Sequence, residues 1–387
     1  MRLLVDGVFF QLNSTGIARV WETILGIIAP GDDLEVFMLD RGGDCGGIPP
    51  INGVTMIPFP SYKPVSSAAD SILIQEVCDH LKVDAFTSSY YTTPLTTPTA
   101  LIVHDMIPEI FDFDMQARFW MEKETAIACA LRYLCVSHST KADLLKFYPE
   151  ITPDHIQVAH GGVDTNAFAE RPAAEIADFR ARHGLKRPYY LFVGSRVQHK
   201  AYKNSDLFFA ALREMQNVNF DVFCVGGEEH IEPSVLDQLP QGVQAQRVSL
   251  SDYDLSLAYA GANALVYPSL YEGFGLPVIE AMASGCPVIT THCGSLGEAS
   301  GDAAWTISGT SVSEMTEALT RLQDKDVRAD LRARGLAHAQ GFRWEPMAHL
   351  LHHLLQQVVE QASGPETKGF LADWQRLRSL QADVDYH

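Results

Sequence analysis

Short apolar runs alternate with helix-like segments along most of the chain, and this alternation limits the possible folds more than any other feature. Strands that alternate with helices form parallel sheets, because each crossover returns the chain to the same end of the sheet. A polar connector over residues 168–187 interrupts the pattern, which then starts again. The 387 residues are enough for two α/β domains, which we place at residues 1–170 and 171–365, followed by a last helix at about 366–387.

The predicted strands form one group on each side of the connector. The first group comprises residues 2–8, 34–39, 54–59, 84–88, 100–104, 133–137 and 155–159. The second group comprises residues 190–193, 221–225, 243–248, 264–267, 288–291 and 303–306. Ligands of parallel sheets bind beyond the carboxyl ends of the strands, so the residues that follow these runs are the candidates for a functional site.

Three strand ends in the first half carry such candidates. The first strand leads into a loop of small residues with Gly16, whose backbone N–H groups suit a phosphate or a sugar, with a plain connecting loop as the alternative. His104 and Asp105 follow the fifth strand and suit an active site, with a core or helix-capping role equally open. Residues 88–93, which include Tyr90, offer hydroxyls and rings to a carbohydrate.

The fourth strand of the second half, residues 264–267, leads into a glycine-containing turn and then a helix. Pro277 suits the start of that helix and Gly285 its end. Glu272 lies before the turn, and Glu280 lies eight positions later in the helix. Carboxylates repel phosphate but accept hydrogen bonds from hydroxyls, so they suit a sugar and a ribose. The alternative is an ordinary helix whose acidic residues are favoured by the helix dipole.

A basic loop follows the first strand of the second half. Gly194 begins it, and Arg196, Lys200 and Lys203 fall within eight positions of an otherwise acidic protein. Arginine can bind a diphosphate through two parallel hydrogen bonds, and lysine can bind it as a point charge. A solvated basic loop is the alternative, but the neighbouring strand–turn–helix favours a diphosphate site.

Charge and cysteine content exclude several classes of function. Residues 1–170 hold 10 Lys and Arg against 22 Asp and Glu, and the remainder holds 19 against 26. With a net charge of −19, nucleic acid is not expected as a partner, and we expect at most weak peripheral contact with a membrane. The seven cysteines lack any Cys-x-x-Cys pair, which indicates buried free thiols and neither disulfides nor a zinc site.

The apolar segments are too short for a membrane-spanning helix. None reaches the roughly 18 residues that such a helix requires. The first six residues are typical of a strand and not of a signal peptide, because Asp6 and Gly7 interrupt the apolar run early. We therefore expect a cytoplasmic protein, with peripheral attachment at the cytoplasmic face of the inner membrane as a variant of that expectation.

Residues 271–289 resemble the Glu-x7-Glu signature of the retaining nucleotide-sugar glycosyltransferases of family four, also called glycosyl transferases group 1. Shorter segments are similar to other motifs of that family, namely those around Gly16, His104, Gly161, Arg196 and Trp344. The resemblance implies the GT-B fold, in which two Rossmann-like doubly wound domains face a cleft. It also implies that the C-terminal helix crosses back to the N-terminal domain.

The resemblance also implies a role for each matched residue. Glu280 would hold the donor ribose, Glu272 the hydroxyls of the donor sugar, and His104 would face the transferred sugar. Arg196 and Lys203, with Gly194, would bind the diphosphate. The backbone of Gly273, Phe274, Gly275 and Leu276 would hold sugar and phosphate, whereas Gly16, Asp105 and Tyr90 would serve the acceptor. The basic loop is longer than the family pattern, which leaves Lys200 as an alternative to Lys203.

The function that the resemblance implies is transfer of a hexosyl group, with mannosyl favoured, from a nucleotide-diphosphate sugar to an acceptor hydroxyl. The acceptor would be a carbohydrate or glycolipid of polysaccharide or lipopolysaccharide assembly. No cofactor or metal is expected, since Arg196 and Lys203 supply the positive charge, although Asp112-Phe-Asp114 and Asp252-Tyr-Asp254 mimic a metal-binding Asp-x-Asp. The alternatives are a nucleotide-sugar epimerase on the same fold and a non-catalytic two-lobed binding protein. The donor base and the oligomeric state stay open.

Overall fold

The chain folds into two compact units, seen in a computed structural model that describes residues 1–12, 16–31, 33–42, 48–196, 202–216, 218–237 and 239–385. The first unit consists of Met1–His160 together with Trp344–His387, and the second of Gly161–Arg343. The small-residue loop of residues 13–15 and the alternative basic residue Lys200 lie outside the described residues.

The first unit begins with seven strands and six helices among its described residues. The strands are β1 (Arg2–Asp6), β2 (Glu35–Asp40), β3 (Val54–Pro58), β4 (Ala85–Ser88), β5 (Ala100–Val103), β6 (Arg132–Cys135) and β7 (Ile156–Val158). The helices are α1 (Val8–Leu12), α2 (Gly16–Ile28), α3 (Ser67–Leu81), α4 (Ile107–Ile110), α5 (Arg118–Cys129) and α6 (His138–Phe147). All strand pairs are parallel, in the orders β3-β2-β1-β4 and β5-β6-β7, and a bridge between Phe86 and Thr99 joins the two sheets.

The second unit repeats this organisation. Its strands are β8 (Tyr189–Val193), β9 (Asp221–Val225), β10 (Ala245–Val248), β11 (Ala264–Tyr267), β12 (Val288–Thr290) and β13 (Trp305–Thr306). Its helices are α7 (Ala173–Arg182), α8 (Ser205–Glu214), α9 (Pro233–Leu236), α10 (Asp252–Gly261), α11 (Leu276–Ala283), α12 (Leu296–Ser300), α13 (Val312–Arg321) and α14 (Lys325–Ala339). They form one parallel sheet in the order β10-β9-β8-β11-β12-β13.

The strand order of the second unit fixes where a ligand can bind. The chain runs outward from β8 through β9 to β10, and then returns to the other side of β8 as β11. The loops after β8 and β11 therefore leave the sheet in opposite directions and open a crevice between them. The core below is closely packed, because Phe192 of β8 stacks on Phe208 of α8 with ring centroids 6.3 Å apart.

Two long helices return the chain to the first unit. Helix α15 (Trp344–Ala362) and helix α16 (Pro365–Asp385) end the described chain. Arg378 of α16 is buried and donates hydrogen bonds to Glu122 of α5 at 3.0 Å and to the Ser71 hydroxyl of α3 at 2.9 Å. The implied packing of the C-terminal helix on the first domain is therefore confirmed.

The borders between the units differ from the predicted domain limits at residues 170 and 365. Residues 161–170 belong to the second unit, where the Val163 amide donates to the Phe342 carbonyl at 3.2 Å and the Phe168 ring lies 6.2 Å from that of Tyr259. Helix α15 belongs to the first unit, where it packs on α2 and β6. The predicted limits depended on the polarity of the sequence, which does not reveal these tertiary contacts.

The architecture expected from the sequence is confirmed, since both units are parallel α/β structures and each of the thirteen predicted strands has a counterpart. The six cysteines in the described ranges are free thiols, and all of these except Cys293 are buried. Among the described residues, no helix combines the length and the apolar character needed to cross a membrane.

Candidate active site

The strand–turn–helix after β11 forms as the sequence predicts. Gly275 precedes α11 with a φ of +111°, a conformation that residues with a side chain rarely adopt. A Cβ atom there would also lie 2.9 Å from the Leu296 side chain. Pro277 occupies the second position of the helix, and Gly285, with a φ of +73°, follows its end. The turn therefore presents the amino end of α11 at the crevice of the second sheet.

Lys203 and Glu272 form an ion pair beside this turn. The Lys203 ammonium donates to both carboxylate oxygens of Glu272, at 2.8 and 3.0 Å, and to the Tyr267 hydroxyl at 3.1 Å. Both side chains are largely buried, with 18% and 10% of their surface exposed. The structure thus brings together two predicted site residues that are 69 positions apart.

Asn204 fixes Lys203 in this position. Its backbone is left-handed, and its side-chain amide donates to the carbonyl oxygens of Pro268 at 3.0 Å and Gly309 at 2.8 Å. The Leu270 amide also donates to the Tyr202 carbonyl at 2.6 Å. These bonds tie the segment before α8 to the loop after β11, which carries Glu272, and to Gly309 beyond β13.

Tyr267 lies at the centre of the charged residues. Burial, followed by the adjacent Glu272 carboxylate, raises the pKa of Tyr267 well above its usual value, and Glu280 adds a smaller contribution. The phenol therefore stays protonated. Glu280 itself is 4% exposed on α11, close enough to Tyr267 for that effect.

Arg196 has a different environment from Lys203. Its guanidinium is completely buried and donates to the carbonyl oxygens of Gly226 at 3.1 Å, Glu228 at 3.0 Å and His230 at 3.3 Å. Its backbone amide donates to the Glu228 carboxylate at 2.7 Å. The loop after β9 therefore holds Arg196, whereas Glu272 holds Lys203.

Ser295 stabilises the turn from the loop after β12 and was not predicted from the sequence. The buried Ser295 hydroxyl lies 2.8 Å from the carbonyl oxygen of Glu272 and 2.8 Å from that of Phe274, so it can donate to either. Its position in a run of small residues directly after a predicted strand was the available signal. Glu228 and Tyr267 were also missed as site residues, because neither belongs to a motif by its residue type.

In the first unit, His104 directly follows β5. Its Nε2 atom is buried and has no hydrogen-bond partner among the described residues. Burial lowers the pKa of His104 to about 4, so the imidazole is neutral at pH 7. A buried ring nitrogen of a neutral histidine can serve as a hydrogen-bond partner for a ligand hydroxyl.

The remaining first-unit candidates contact other residues of the same unit. The Asp105 carboxylate accepts a hydrogen bond from the Ile107 amide at 3.0 Å, which is a helix-entry role. The half-buried Tyr90 ring lies 5.4 Å from the Phe9 ring and 5.3 Å from the Phe119 ring. Gly16 is the first residue of α2. The hydrogen bond from the Ile107 amide gives Asp105 a structural contact, and its place on the acceptor side stays a prediction.

Each of the two Asp-x-Asp segments uses a carboxylate in a hydrogen bond within its own unit. Asp114 accepts a hydrogen bond from the Gln116 amide at 3.1 Å, and Asp254 accepts one from Arg182 at 2.9 Å. In each segment, therefore, one carboxylate has a structural role as a hydrogen-bond acceptor.

Comparison with known proteins decides the family. Residues 18–167 match the family model described as Glycosyltransferase Family 4, and residues 187–325 match the one described as Glycosyl transferases group 1. The chain belongs to glycosyltransferase family four. The family assignment implied by the Glu-x7-Glu signature is thereby confirmed.

Individual relatives of this family four protein are similar over part or all of the chain. The O-antigen chain mannosyltransferase B of Escherichia coli is 46% identical over 234 residues, which cover 58% of this chain and 61% of that protein. The match thus spans about three fifths of the curated relative. Sucrose-phosphate synthase of Thermosynechococcus elongatus has a TM-score of 0.74 and 18% identity, with 93% of this chain and 100% of that chain covered.

A second solved structure contains a ligand. Anabaena HepE in complex with UDP-glucose has a TM-score of 0.69 and 16% identity, with 94% of this chain and 99% of that chain covered. At these identities the two structures establish the fold alone. The family four protein therefore has the GT-B fold, as its resemblance implied.

Proposed function

We propose that this protein transfers a hexosyl group, with mannosyl favoured, from a nucleotide-diphosphate sugar to a hydroxyl of a carbohydrate or glycolipid acceptor. The configuration at the anomeric carbon is retained. The observation that carries the proposal is the Lys203–Glu272 pair beside the amino end of α11. It places a cation, a carboxylate that can accept hydrogen bonds from hydroxyls, and the amino end of a helix at the crevice of one parallel sheet.

Each part of this arrangement suits one part of the donor. The amino end of α11 and the Lys203 ammonium favour the diphosphate, because both are positive. The Glu272 carboxylate suits the hydroxyls of the sugar, and Glu280 suits those of the ribose. We assign Gly194 and Arg196 to the diphosphate and the backbone of residues 273–276 to sugar and phosphate.

The first unit receives the acceptor in this proposal. Gly16, Asp105 and Tyr90 are assigned to the acceptor, and His104 to the sugar being transferred. The low pKa of His104, about 4, keeps its ring neutral. The ring can therefore form hydrogen bonds with the sugar without placing a positive charge next to the anomeric carbon, which itself becomes positively charged in an oxocarbenium-like transition state.

The proposed reaction is a front-face displacement. The bond between the anomeric carbon and the diphosphate oxygen breaks, and a bond to the acceptor oxygen forms on the same face. The departing phosphate oxygen takes the acceptor proton, so no protein base is required. Positive groups that stabilise the leaving diphosphate then supply the main catalytic effect, and no metal ion is part of the scheme.

The relatives support the substrate classes. The Escherichia coli relative is named as an O-antigen chain mannosyltransferase, which supports mannosyl transfer in polysaccharide or lipopolysaccharide assembly. The Anabaena structure contains UDP-glucose, which supports a nucleotide-diphosphate sugar as the donor.

A thermal-shift comparison of GDP, UDP, ADP and dTDP tests the donor class. A ligand that binds only the folded protein raises its melting temperature by mass action. We expect GDP to give the largest shift, because a mannosyl donor is favoured, and the matching nucleotide monophosphate to give a smaller one. The absence of a shift with all four diphosphates would contradict the proposal. In a separate product assay without any acceptor, conversion of the donor sugar into another sugar would indicate an epimerase.

A further inference from the structure

The loop after β9 lies against the end of β8, the strand that leads into Arg196. Gly226 and Gly227 begin this loop, with φ values of +71° and +66°. A Cβ atom on Gly227 would collide with the Gly194 carbonyl oxygen. The two glycines thus let the loop approach β8 closely enough for the next residue, Glu228, to reach the groups that follow that strand.

The Glu228 carboxylate is surrounded by donors from the end of β8. One carboxylate oxygen accepts a hydrogen bond from the Ser195 hydroxyl. The other accepts one from the Arg196 amide at 2.7 Å and lies 3.7 Å from the Arg196 guanidinium. A hydroxyl, a backbone N–H group and a guanidinium converging on one anion are the donor set with which proteins bind phosphate oxygens.

Electrostatics favours the charged form of Glu228 in this position. Burial opposes that form, but the hydrogen bonds from the Ser195 hydroxyl and the Arg196 amide outweigh it and lower the pKa of Glu228. The side chain is therefore an anion at neutral pH. The carboxylate lies at the carboxyl end of β8, beside the crevice at which the donor diphosphate is proposed to bind.

We propose that Glu228 is an internal competitor of the donor diphosphate and sets the affinity of the donor site. This inference depends on the proposed function, since it concerns the same donor site. In the unliganded protein the carboxylate takes the Ser195 and Arg196 donors. The incoming diphosphate replaces it, and the Arg196 guanidinium exchanges its carbonyl partners for phosphate oxygens. The carboxylate must move away, because two anions at one donor set repel each other.

Two substitutions of Glu228 and one of its neighbour test the inference. Glu228→Gln removes the charge and keeps the shape, and Glu228→Ala removes the competing group. Glu229→Gln is the matched control, since Glu229 is adjacent, exposed and alters the net charge equally. Isothermal titration of the full-length proteins with GDP, UDP and inorganic pyrophosphate measures affinity, and melting temperatures without ligand establish that each variant is folded.

We expect both Glu228 variants to bind the preferred nucleoside diphosphate and pyrophosphate about tenfold more tightly than the wild type, while Glu229→Gln changes affinity less than about twofold. Equal or weaker binding in both Glu228 variants would overturn the inference and would identify Glu228 as a support for Arg196. If no nucleotide binds any of the proteins, the proposed function fails. In that case the inference is tested by pyrophosphate alone. Equal pyrophosphate affinities of the wild type and the Glu228 variants would overturn it.

Discussion

Individual side chains of the proposed donor site are distinguished by how their charges are balanced. Glu272 is neutralised by Lys203, and Tyr267 stays protonated next to both. The Arg196 guanidinium donates hydrogen bonds to carbonyl oxygens and lies 3.7 Å from the Glu228 carboxylate. A charge buried to this degree requires partners, so a ligand can bind only by exchanging them or by adding its own.

Glu280 provides the most direct test at the residue scale. Glu280 is assigned to the ribose. Glu280→Ala is therefore expected to weaken nucleoside diphosphate binding by about tenfold to a hundredfold, which corresponds to the free energy of hydrogen bonds to a charged group. Calorimetric titration measures the change, and Glu317→Ala, at an exposed carboxylate of α13, is the control. Unchanged affinity together with full transfer at subsaturating donor would refute the assignment.

His104 provides a test through pH. Its pKa is about 4 in the folded protein, below the usual value of 6.5, so the unfolded chain takes up the proton first as the pH falls. The free energy of unfolding should therefore decrease between about pH 6.5 and pH 4, by up to about 3 kcal/mol from this group. Urea denaturation of wild type and His104→Gln measures it, and identical pH profiles would argue against a buried neutral imidazole.

Among the secondary-structure elements, the turn between β11 and α11 was the easiest to predict. The contacts from distant loops that support this turn were the hardest to predict. Pro277 and Gly285 marked the helix ends through their own backbone preferences. The pairing of Lys203 with Glu272 depends on Asn204, which contacts Gly309 more than a hundred positions away. Sequence alone predicts local backbone geometry and strand ends, but not which side chains from distant loops meet.

The support of this turn by Ser295 can be measured. Ser295→Ala removes the hydroxyl that bonds the carbonyl oxygens of Glu272 and Phe274, so the turn should loosen. We expect a loss of about 1 to 3 kcal/mol in stability and a severalfold increase in the KM for the donor with a smaller change in kcat. Ser300→Ala, a buried serine of α12, is the control. Equal KM effects in both variants would indicate a general structural role.

At the scale of the whole molecule, the chain returns to the first unit after completing the second. Residues 344–385 belong to the first unit, although in the sequence the whole second unit, residues 161–343, precedes them. The predicted domain limits left α15 in the second domain, because an amphipathic pattern shows that a helix buries one face without showing against which unit. The prediction of two parallel domains did not depend on that information.

The buried Arg378–Glu122 pair is expected to hold the C-terminal helix in place. Arg378→Met removes the buried partner of the Glu122 carboxylate and leaves it paired with the more exposed Arg118 at 3.2 Å, which should destabilise the first unit by about 1 to 3 kcal/mol. Tryptophan fluorescence during urea unfolding reports mainly on this unit, since four of the five tryptophans lie in it. Arg376→Met, at an exposed position of α16, is the control, and equal stability of the two variants would contradict this account.

The central claim is retaining, metal-independent transfer of a hexosyl group. The most direct measurement is NMR of the glycosidic linkage formed when the protein is incubated with GDP-mannose and mannose-terminated glycans in the presence of EDTA. We predict one added mannose in α linkage, no effect of EDTA, and much less product from Glu280→Ala when GDP-mannose is below saturation. A β linkage, a requirement for added metal, or unchanged glycans with GDP-, UDP-, ADP- and dTDP-hexoses alike would contradict the account.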